Sequence, residues 1–409
     1  MQKMYDILII GGGPAGLAAG IYGSRARLHT AILEKGALGG QAVTTGELEN
    51  YPGFFDGMSG PDVMKKISTH AKHFGTEFLT GTVTRAEFSG PIKRVFTDDG
   101  QEYQAKSVIL APGAEPRQLG VEGEREFRGR GVSYCATCDA DFFEELDVAV
   151  VGNGDAAIEE ALYLTRFANQ VTMIVPHDEG VLYGNRTSVE KALANPKLKI
   201  CWNSEIVKIT GDGIVQSVLL RNVKTGEPGE LALDGVFIFV GTVPKTGFLK
   251  EAVALDDAGY ISVNERMETN IPGVYAAGDA CAKFLRQVVT AVADGAIAAV
   301  AAEKYIEETE TFRRQVLEAD RPVLLLFWAA RVPESVAGAG IIEAQLAGRE
   351  DVRLVKLHAI HDKKTAEAYG VYATPTVLLF HDGKVLNRVD GPFTAEQVAA
   401  LLMGLPAAK

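Results

Sequence analysis

Sulfur, imidazole and indole are scarce in this 409-residue sequence, which has four cysteines, seven histidines and two tryptophans. Four cysteines are too few to staple a secreted fold of this length. With so few histidines and no second C-x-x-C to complete a zinc site, no metal is expected. No apolar run approaches the ~20 residues that a membrane-crossing helix needs. Glycines follow the first apolar stretch at once, with no small-residue cleavage site, so the N-terminus does not read as a secretion signal. A cytoplasmic address and no membrane partner are the resulting expectations. Basic charge is also short: 41 Lys+Arg stand against 53 Asp+Glu, a net charge of −12. That balance argues against nucleic acid as a partner. The deficit is local, because residues 311–409 hold 12 basic and 11 acidic groups and the first 310 hold 29 and 42. An acidic first part favours a basic patch on any protein that meets it.

Glycine, by contrast, is abundant and meaningfully placed. An apolar strand over residues 5–10 runs into Gly11-Gly12-Gly13-Pro14-Ala15-Gly16 and then a helical stretch to about residue 27. Gly11, Gly13 and Gly16 permit a tight turn and close backbone approach to a pyrophosphate, which the helix N-terminus favours. A second strand, 29–33, ends at Glu34, 18 residues past Gly16 and placed to accept ribose hydroxyls. The pattern repeats at strand 148–151, Gly152-Asn153-Gly154-Asp155-Ala156-Ala157, a helix to about 167 and a strand over 170–175. Two such sites imply one flavin and one nicotinamide nucleotide, which must meet for hydride transfer. After the second unit's second strand stands Val175-Pro176-His177-Asp178-Glu179. A 2′-phosphate calls for a guanidinium there, but no Arg precedes Arg186. His177 is a weak substitute, with a solvated turn residue as the other reading.

Cys135-Ala136-Thr137-Cys138-Asp139 precedes the second unit. C-x-x-C spacing lets two sulfurs close a small ring and suits reversible oxidation. A carboxyl beside the pair, Asp139, can pass protons to a thiolate leaving group. Two buried free thiols and a helix cap are the structural alternatives. Cys201 and Cys281 read as buried structural cysteines. Beyond residue 306 a charged stretch, 307–314, reads as a linker or lead-in helix. The last 99 residues alternate strands (323–328, 353–357, 376–380, 385–389) with helices (about 335–346, 363–369, 394–403), and Asp382-Gly383 forms a tight hairpin.

Motif by motif, the first ~305 residues resemble low-molecular-weight thioredoxin reductase. Gly11, Gly13, Pro14, Ala15 and Gly16, with Glu34, resemble its FAD fingerprint; Gly39-Gly40-Gln41 and Asn50 resemble its flavin-contacting loop. The Cys135–Cys138 string with Asp139 is the family's own catalytic string. Gly278 and Asp279, followed by Arg286, Gln287 and Val288, resemble the segment that holds the ribityl chain and flavin ring. The resemblance implies an α/β flavoprotein with two dinucleotide-binding domains. The FAD domain (1–114 and 246–305) carries an inserted NAD(P) domain (115–245) with the C-x-x-C. It implies FAD, a homodimer, and electrons passing from nicotinamide through flavin to Cys135–Cys138 and on to a protein disulfide. Cys138 would face the flavin, Cys135 would attack the partner, and Asp139 would be the acid/base. Rotation of the inserted domain, hinging near residues 115 and 245, would alternate the half-reactions. Two departures stand out. The loop that usually reads Ala-Thr-Gly is Ala111-Pro112-Gly113, and the basic run for the 2′-phosphate is missing at Val175-Pro176-His177, which favours NADH over NADPH. Gly152, Gly154, Asp155, Ala157 and His177 are the expected nicotinamide-nucleotide contacts.

After a linker or lead-in helix (306–320), residues 321–409 resemble thioredoxin. Phe327-Trp328-Ala329 matches its strand into the active site and Thr374-Pro375-Thr376 its cis-proline loop. The dithiol is missing: Val332-Pro333-Glu334-Ser335 occupies its place, and Leu326 replaces the buried acid. Such a domain cannot carry electrons by disulfide exchange; docking, occlusion of the partner site and a remnant without function are the readings open to it. A separate thioredoxin-like protein is then the expected electron acceptor. A flavin NADH oxidase, a peroxiredoxin-feeding reductase, a ferredoxin-fed reductase and a redox-sensing scaffold are the competing readings.

Overall fold

The computed structural model describes residues 3–44, 48, 50–54 and 58–405, which include every residue singled out above. The chain divides into two units, Met1–Glu303 and Lys304–Lys409.

Strand Met4–Ile10 is apolar except at Asp6, and Ile7, Leu8 and Ile9 are fully buried. Such a run suits a central parallel strand covered on both faces, and each side chain contributes about 1.5–3 kcal/mol by burial. Its sheet has the order Glu77–Thr80, Thr30–Glu34, Met4–Ile10, Glu102–Leu110, Lys93–Thr97, Val83–Glu87. Strand Val274–Ala276 also joins Glu102–Leu110, in parallel. The sheet is therefore completed only after the chain has left it and returned. On the excursion it builds a five-stranded parallel sheet, ordered Leu198–Cys201, Gln170–Ile174, Asp147–Val151, Gly235–Ile238, Val132–Ser133. An antiparallel meander, Ser204–Asp212, Ile214–Asn222 and Pro228–Ala232, is added to it. The outgoing and returning chain segments pair as a short antiparallel ribbon, Ala114–Pro116 with Thr242–Pro244.

The helix after the first strand, Pro14–Arg25, starts with proline, whose missing N–H is no loss at a helix start. Nearly all its residues are small or buried, so it lies close on the sheet. The long helix Val288–Phe312 runs through the boundary between the units. The charged stretch is helical, first in this helix to Phe312 and then in a π-helical turn, Arg313–Leu317. Arg313 pairs with Glu310 one turn back, the spacing at which helical side chains meet, and with Glu318 across the π-helical turn.

In the second unit the strand order is Arg353–His358, Val323–Trp328, Thr376–His381, Lys384–Asp390. Apolar clusters cover both faces of this sheet. Asp382 and Gly383 both have positive φ, 48° and 72°, as a two-residue hairpin turn of the primed type requires. Among the described residues, no helix is long and apolar enough to cross a membrane.

Candidate active site

Cys135 and Cys138 are joined in a disulfide, with Cα atoms 5.3 Å apart. The chain arrives extended from Val132–Ser133 and winds into a short helix, Ala136–Asp139, only after the first sulfur. Ala136 is fully buried and packs in one cluster with Ala140, Phe143, Ala157 and Ile158. This plants the turn against the helix Asp155–Leu164 that follows the second glycine turn. Ser133 fixes the turn from below. Its hydroxyl donates to Asp139 Oδ2 at 2.5 Å and accepts from the Cys135 N–H at 3.1 Å. Burial pushes the Asp139 carboxyl above the ordinary carboxylate range, and the Ser133 hydrogen bond pulls the other way. A carboxyl held upward keeps its proton closer to neutrality, as a general acid must. Beside Cys135, the Tyr134 hydroxyl donates to Glu124 Oε1 at 2.7 Å. Glu124 also accepts from the N–H groups of Leu119 and Gly120, so one buried carboxylate ties the approach to the disulfide to the lip of the nucleotide cleft.

Two residues expected at a flavin, Gln287 and behind it Asn50, reach this turn from elsewhere in the chain, and a third, Gln41, meets Arg128. Asn50 donates to Gln287 Oε1 at 3.1 Å, and Gln287 Nε2 donates to Thr137 Oγ1 at 3.2 Å. Gln41 accepts from Arg128 at 3.4 Å.

The first glycine turn forms a cradle. A side chain at Gly11 would put Cβ 2.1 Å from the Ala111 carbonyl oxygen, and one at Gly16 would put it 1.9 Å from the Gly11 carbonyl oxygen. Only glycine fits either place. The Glu34 carboxylate already accepts from Gly12 N–H at 2.7 Å and Gly36 N–H at 3.0 Å. It is thus oriented at the strand end, where a ribose would lie. Gly40 packs its backbone beside Gly13, and Ala111 N–H is tied to the Ile10 carbonyl, with Gly113 at φ +74° two residues on. Gly278 and Asp279 form a short turn, where Asp279 Oδ1 is buried with no hydrogen-bond partner among the described residues. Its carboxyl is pushed upward by burial. Arg286 donates to the Asp279 and Cys281 carbonyls and lies 4.2 Å over the Tyr260 ring, and Val288 opens the long helix. A flavin dinucleotide fits this donor set. Free turn N–H groups suit the pyrophosphate, Glu34 suits the ribose, and the orphaned Asp279 oxygen suits a ribityl hydroxyl.

The second glycine turn opens onto a cavity of about 870 Å³, lined by Gly152, Gly154, Asp155 and Ala157 together with residues 119–122, 204–207 and 239–241, Pro176 and Arg221. The size suits a dinucleotide. His177 does not line it. Its Nδ1 accepts from the Asn153 amide at 2.9 Å, and Tyr183 meets its ring edge-on at 5.1 Å. Asp155 accepts from the Asn185 backbone and side chain. At the strand end, where the first glycine turn has Glu34 beside it, the second has buried Val175. Arg221 is the one Lys or Arg among the lining residues and pairs with Glu205; Glu122 and Asp155 add two more carboxylates.

In the second unit Val332 caps the helix Pro333–Leu346, Ser335 is fully buried, and Leu326 is fully buried opposite Val377. The Thr374–Pro375 bond is cis. No sulfur of a cysteine is present there, since all four cysteines precede residue 282.

Sequence reading missed Ser133, Glu124, Thr137 and Arg221. Ser133, two residues before Cys135, could have been noticed by its spacing, because alternate residues of a strand share a face. Glu124 and Arg221 left no local signal.

Residues 5–295 match the family described as pyridine nucleotide-disulphide oxidoreductase, and residues 303–403 match thioredoxin. The chain is 50% identical over 313 residues to a thioredoxin reductase of Peptoclostridium acidaminophilum, spanning 75% of this chain and 98% of that protein. It is 36% identical to the bifunctional thioredoxin reductase/thioredoxin of Mycobacterium leprae (strain TN), across 99% of this chain and 96% of that one. Among solved structures, thioredoxin reductase from Streptococcus pyogenes MGAS5005 superimposes with a TM-score of 0.71 at 46% identity, covering 75% of this chain and all of that one.

Proposed function

Because this chain belongs to the pyridine nucleotide-disulphide oxidoreductases, and among them to the thioredoxin reductases, we propose that it passes electrons from NADH through FAD to the Cys135–Cys138 disulfide and on to a separate thioredoxin-like protein. It is an FAD-dependent oxidoreductase that uses a nicotinamide cofactor. The observation that carries the dithiol route is the disulfide itself, hydrogen-bonded through Thr137 to the expected flavin contacts Gln287 and Asn50.

Gly11, Gly13, Gly16, Glu34, Asp279 and Arg286 would hold the flavin, which when bound supplies a two-electron store between nicotinamide and disulfide. Two electrons open the Cys135–Cys138 bond. Cys135 as thiolate attacks one sulfur of the partner's disulfide, that disulfide breaks, and the leaving sulfur takes a proton from Asp139. Cys138 then attacks Cys135 Sγ, restoring the disulfide and releasing the second partner sulfur, which receives the Cys138 proton. The C-terminal unit has no cysteine, which supports a disulfide on another protein as the acceptor. Rotation about the ribbon Ala114–Pro116/Thr242–Pro244 would alternate the two half-reactions.

NADH is favoured over NADPH because Arg221, the one Lys or Arg among the lining residues, is already paired with Glu205, and Glu122 with Lys208, which leaves the Asp155 carboxylate facing the cleft without a cation. A 2′-phosphate would meet net negative charge there. A homodimer is supported by exposed apolar side chains at Phe284, Leu285, Val289, Ile297 and Val300 on and before the long helix. For the C-terminal unit docking, occlusion and a remnant without function stay open: removal of residues 311–409 should weaken partner affinity if it docks, speed turnover if it occludes, and change nothing if it is a remnant.

Anaerobic mixing with NADH should bleach the flavin quickly and take up about two electrons beyond it. Rapid bleaching by NADPH alone would overturn the nucleotide preference. Full disulfide-reducing turnover in Cys138→Ser would sink the dithiol route.

A further inference from the structure

The side chains around the disulfide form a hydrogen-bond chain whose direction is fixed by chemistry. Asn50 Nδ2 can only donate, so Gln287 Oε1 accepts at 3.1 Å. That orients the Gln287 amide, whose Nε2 donates to Thr137 Oγ1 at 3.2 Å. The Thr137 oxygen is thereby engaged as acceptor, which leaves its own hydrogen to point elsewhere. Its next polar neighbour is Cys135 Sγ, at 3.4 Å. A disulfide sulfur carries no hydrogen, so the Thr137 hydroxyl is the donor.

We propose that Thr137 is a catalytic residue that stabilises the Cys135 thiolate with its hydroxyl, and that Gln287 and Asn50 are positioning residues that aim it. The proposal rests on the dithiol reading above and deepens it by saying why Cys135 is the attacking sulfur. A hydrogen bond to an anion is worth more than one to a neutral sulfur, so the contact strengthens when the disulfide opens and negative charge gathers on Cys135 Sγ. Cys138 has no such donor in this hydrogen-bond chain. The difference biases the pair towards thiolate at Cys135 and thiol at Cys138. That is the protonation state the exchange needs, since the Cys135 anion forms the new bond to the partner's sulfur and the Cys138 proton is released with the second leaving sulfur. No redox equivalent beyond those already in the route is required. Thr137 lies on the same turn as Cys135, so it accompanies the sulfur wherever the inserted segment moves. Gln287 and Asn50 belong to the flavin-binding segments and aim the hydroxyl only while the turn lies against them.

The test is the pH dependence of Cys135 alkylation by iodoacetamide in the full-length flavin-loaded enzyme, with the modified cysteine located by peptide mapping. The disulfide is first reduced by dithiothreitol and the reductant removed without air. Thr137→Val keeps the shape and removes the hydroxyl; it should raise the pH midpoint of Cys135 alkylation by about one unit. Thr137→Ser should return the midpoint to that of the unaltered protein. A Val variant with an unmoved midpoint, or a Ser variant that behaves like Val, overturns the proposal. Thr137→Ala is the second hydroxyl-free variant and must shift in the same direction as Val. Chemical reduction makes this reading independent of the electron route. Failure of the flavin-to-disulfide route would show instead in Cys138→Ser turnover, with the alkylation midpoints unaffected.

Discussion

The two glycine turns of this chain are built on one plan and differ in two places. Gly11 N–H bonds the Leu33 carbonyl and Gly152 N–H the Ile174 carbonyl, so Glu34 and Val175 hold equivalent positions. Ala111 N–H bonds Ile10 as Phe239 N–H bonds Val151, so each turn is closed by the same neighbouring strand. The first turn carries Gly16 where the second has Ala157, and a preset carboxylate where the second has a buried valine. The first therefore lets its helix approach more tightly and offers the ribose a fixed acceptor. The second offers an open cavity walled by charge. On the proposed function, the first turn would keep its nucleotide and the second would exchange it.

The comparison breaks most sharply at the third position of the turn. Gly16→Ala forces a methyl against the Gly11 carbonyl oxygen, and we expect purified protein with less than about a tenth of the normal flavin per chain, read from its absorbance. Ala157→Gly costs about 1 kcal/mol of helix propensity and should leave flavin content at the normal level. Comparable flavin loss in both variants would mean that the turns are not differently packed. Next in size, Glu34→Gln should weaken FAD binding by roughly tenfold, because a charged acceptor becomes neutral; fluorescence titration of the apoprotein measures it. At the second glycine turn, His177→Arg should raise kcat/KM for NADPH by roughly tenfold and leave NADH little changed. An unaltered ratio would place the 2′ position away from residue 177.

A smaller difference lies on the helices that follow. The position of Ala19 in the first is taken by Glu160 in the second. Glu160 Oε2 is buried with no hydrogen-bond partner among the described residues, and burial, with Glu159 nearby, pushes its pKa to about 7. The folded chain thus holds this proton more tightly than the unfolded chain does. That stabilisation is complete below the ordinary Glu pKa and is lost as pH rises through about 7. Glu160→Gln should raise Tm by about 2–4 °C at pH 8 and change it little at pH 5. The smallest expected effect is at Ser133. Ser133→Ala removes the bond that holds the Asp139 carboxyl down, so the basic limb of the disulfide-reduction pH profile should move to higher pH.

Much of this was legible in the sequence because its signals are local. The two glycine turns, the strand before each, the C-x-x-C and the strands of the last domain all announce themselves within a few residues. Even the hairpin at Asp382-Gly383 follows from two residues that tolerate positive φ. The unread parts are contacts across long separations. The Gln287–Thr137 bond joins residues 150 apart, and nothing at either end marks the other. The meander that includes Ser204–Asp212 and Ile214–Asn222 went unread because polar and apolar residues alternate only weakly along it. His177 was legible as the residue after the second strand, but not its partnership with Asn153, which takes its ring away from the cleft lining.

The ribbon of Ala114–Pro116 and Thr242–Pro244 also bears on how the molecule can be re-engineered. Thr242 and Pro116 face each other across one ladder, so the segment between them begins and ends at neighbouring points. Its two ends meet as the termini of a free-standing domain commonly do. A short linker from residue 241 back to 117 should close it on itself, and a new start and finish could be cut elsewhere in its surface loops. The region around the second glycine turn should thus behave as a cassette, joined to its host through the short ribbon of backbone pairing.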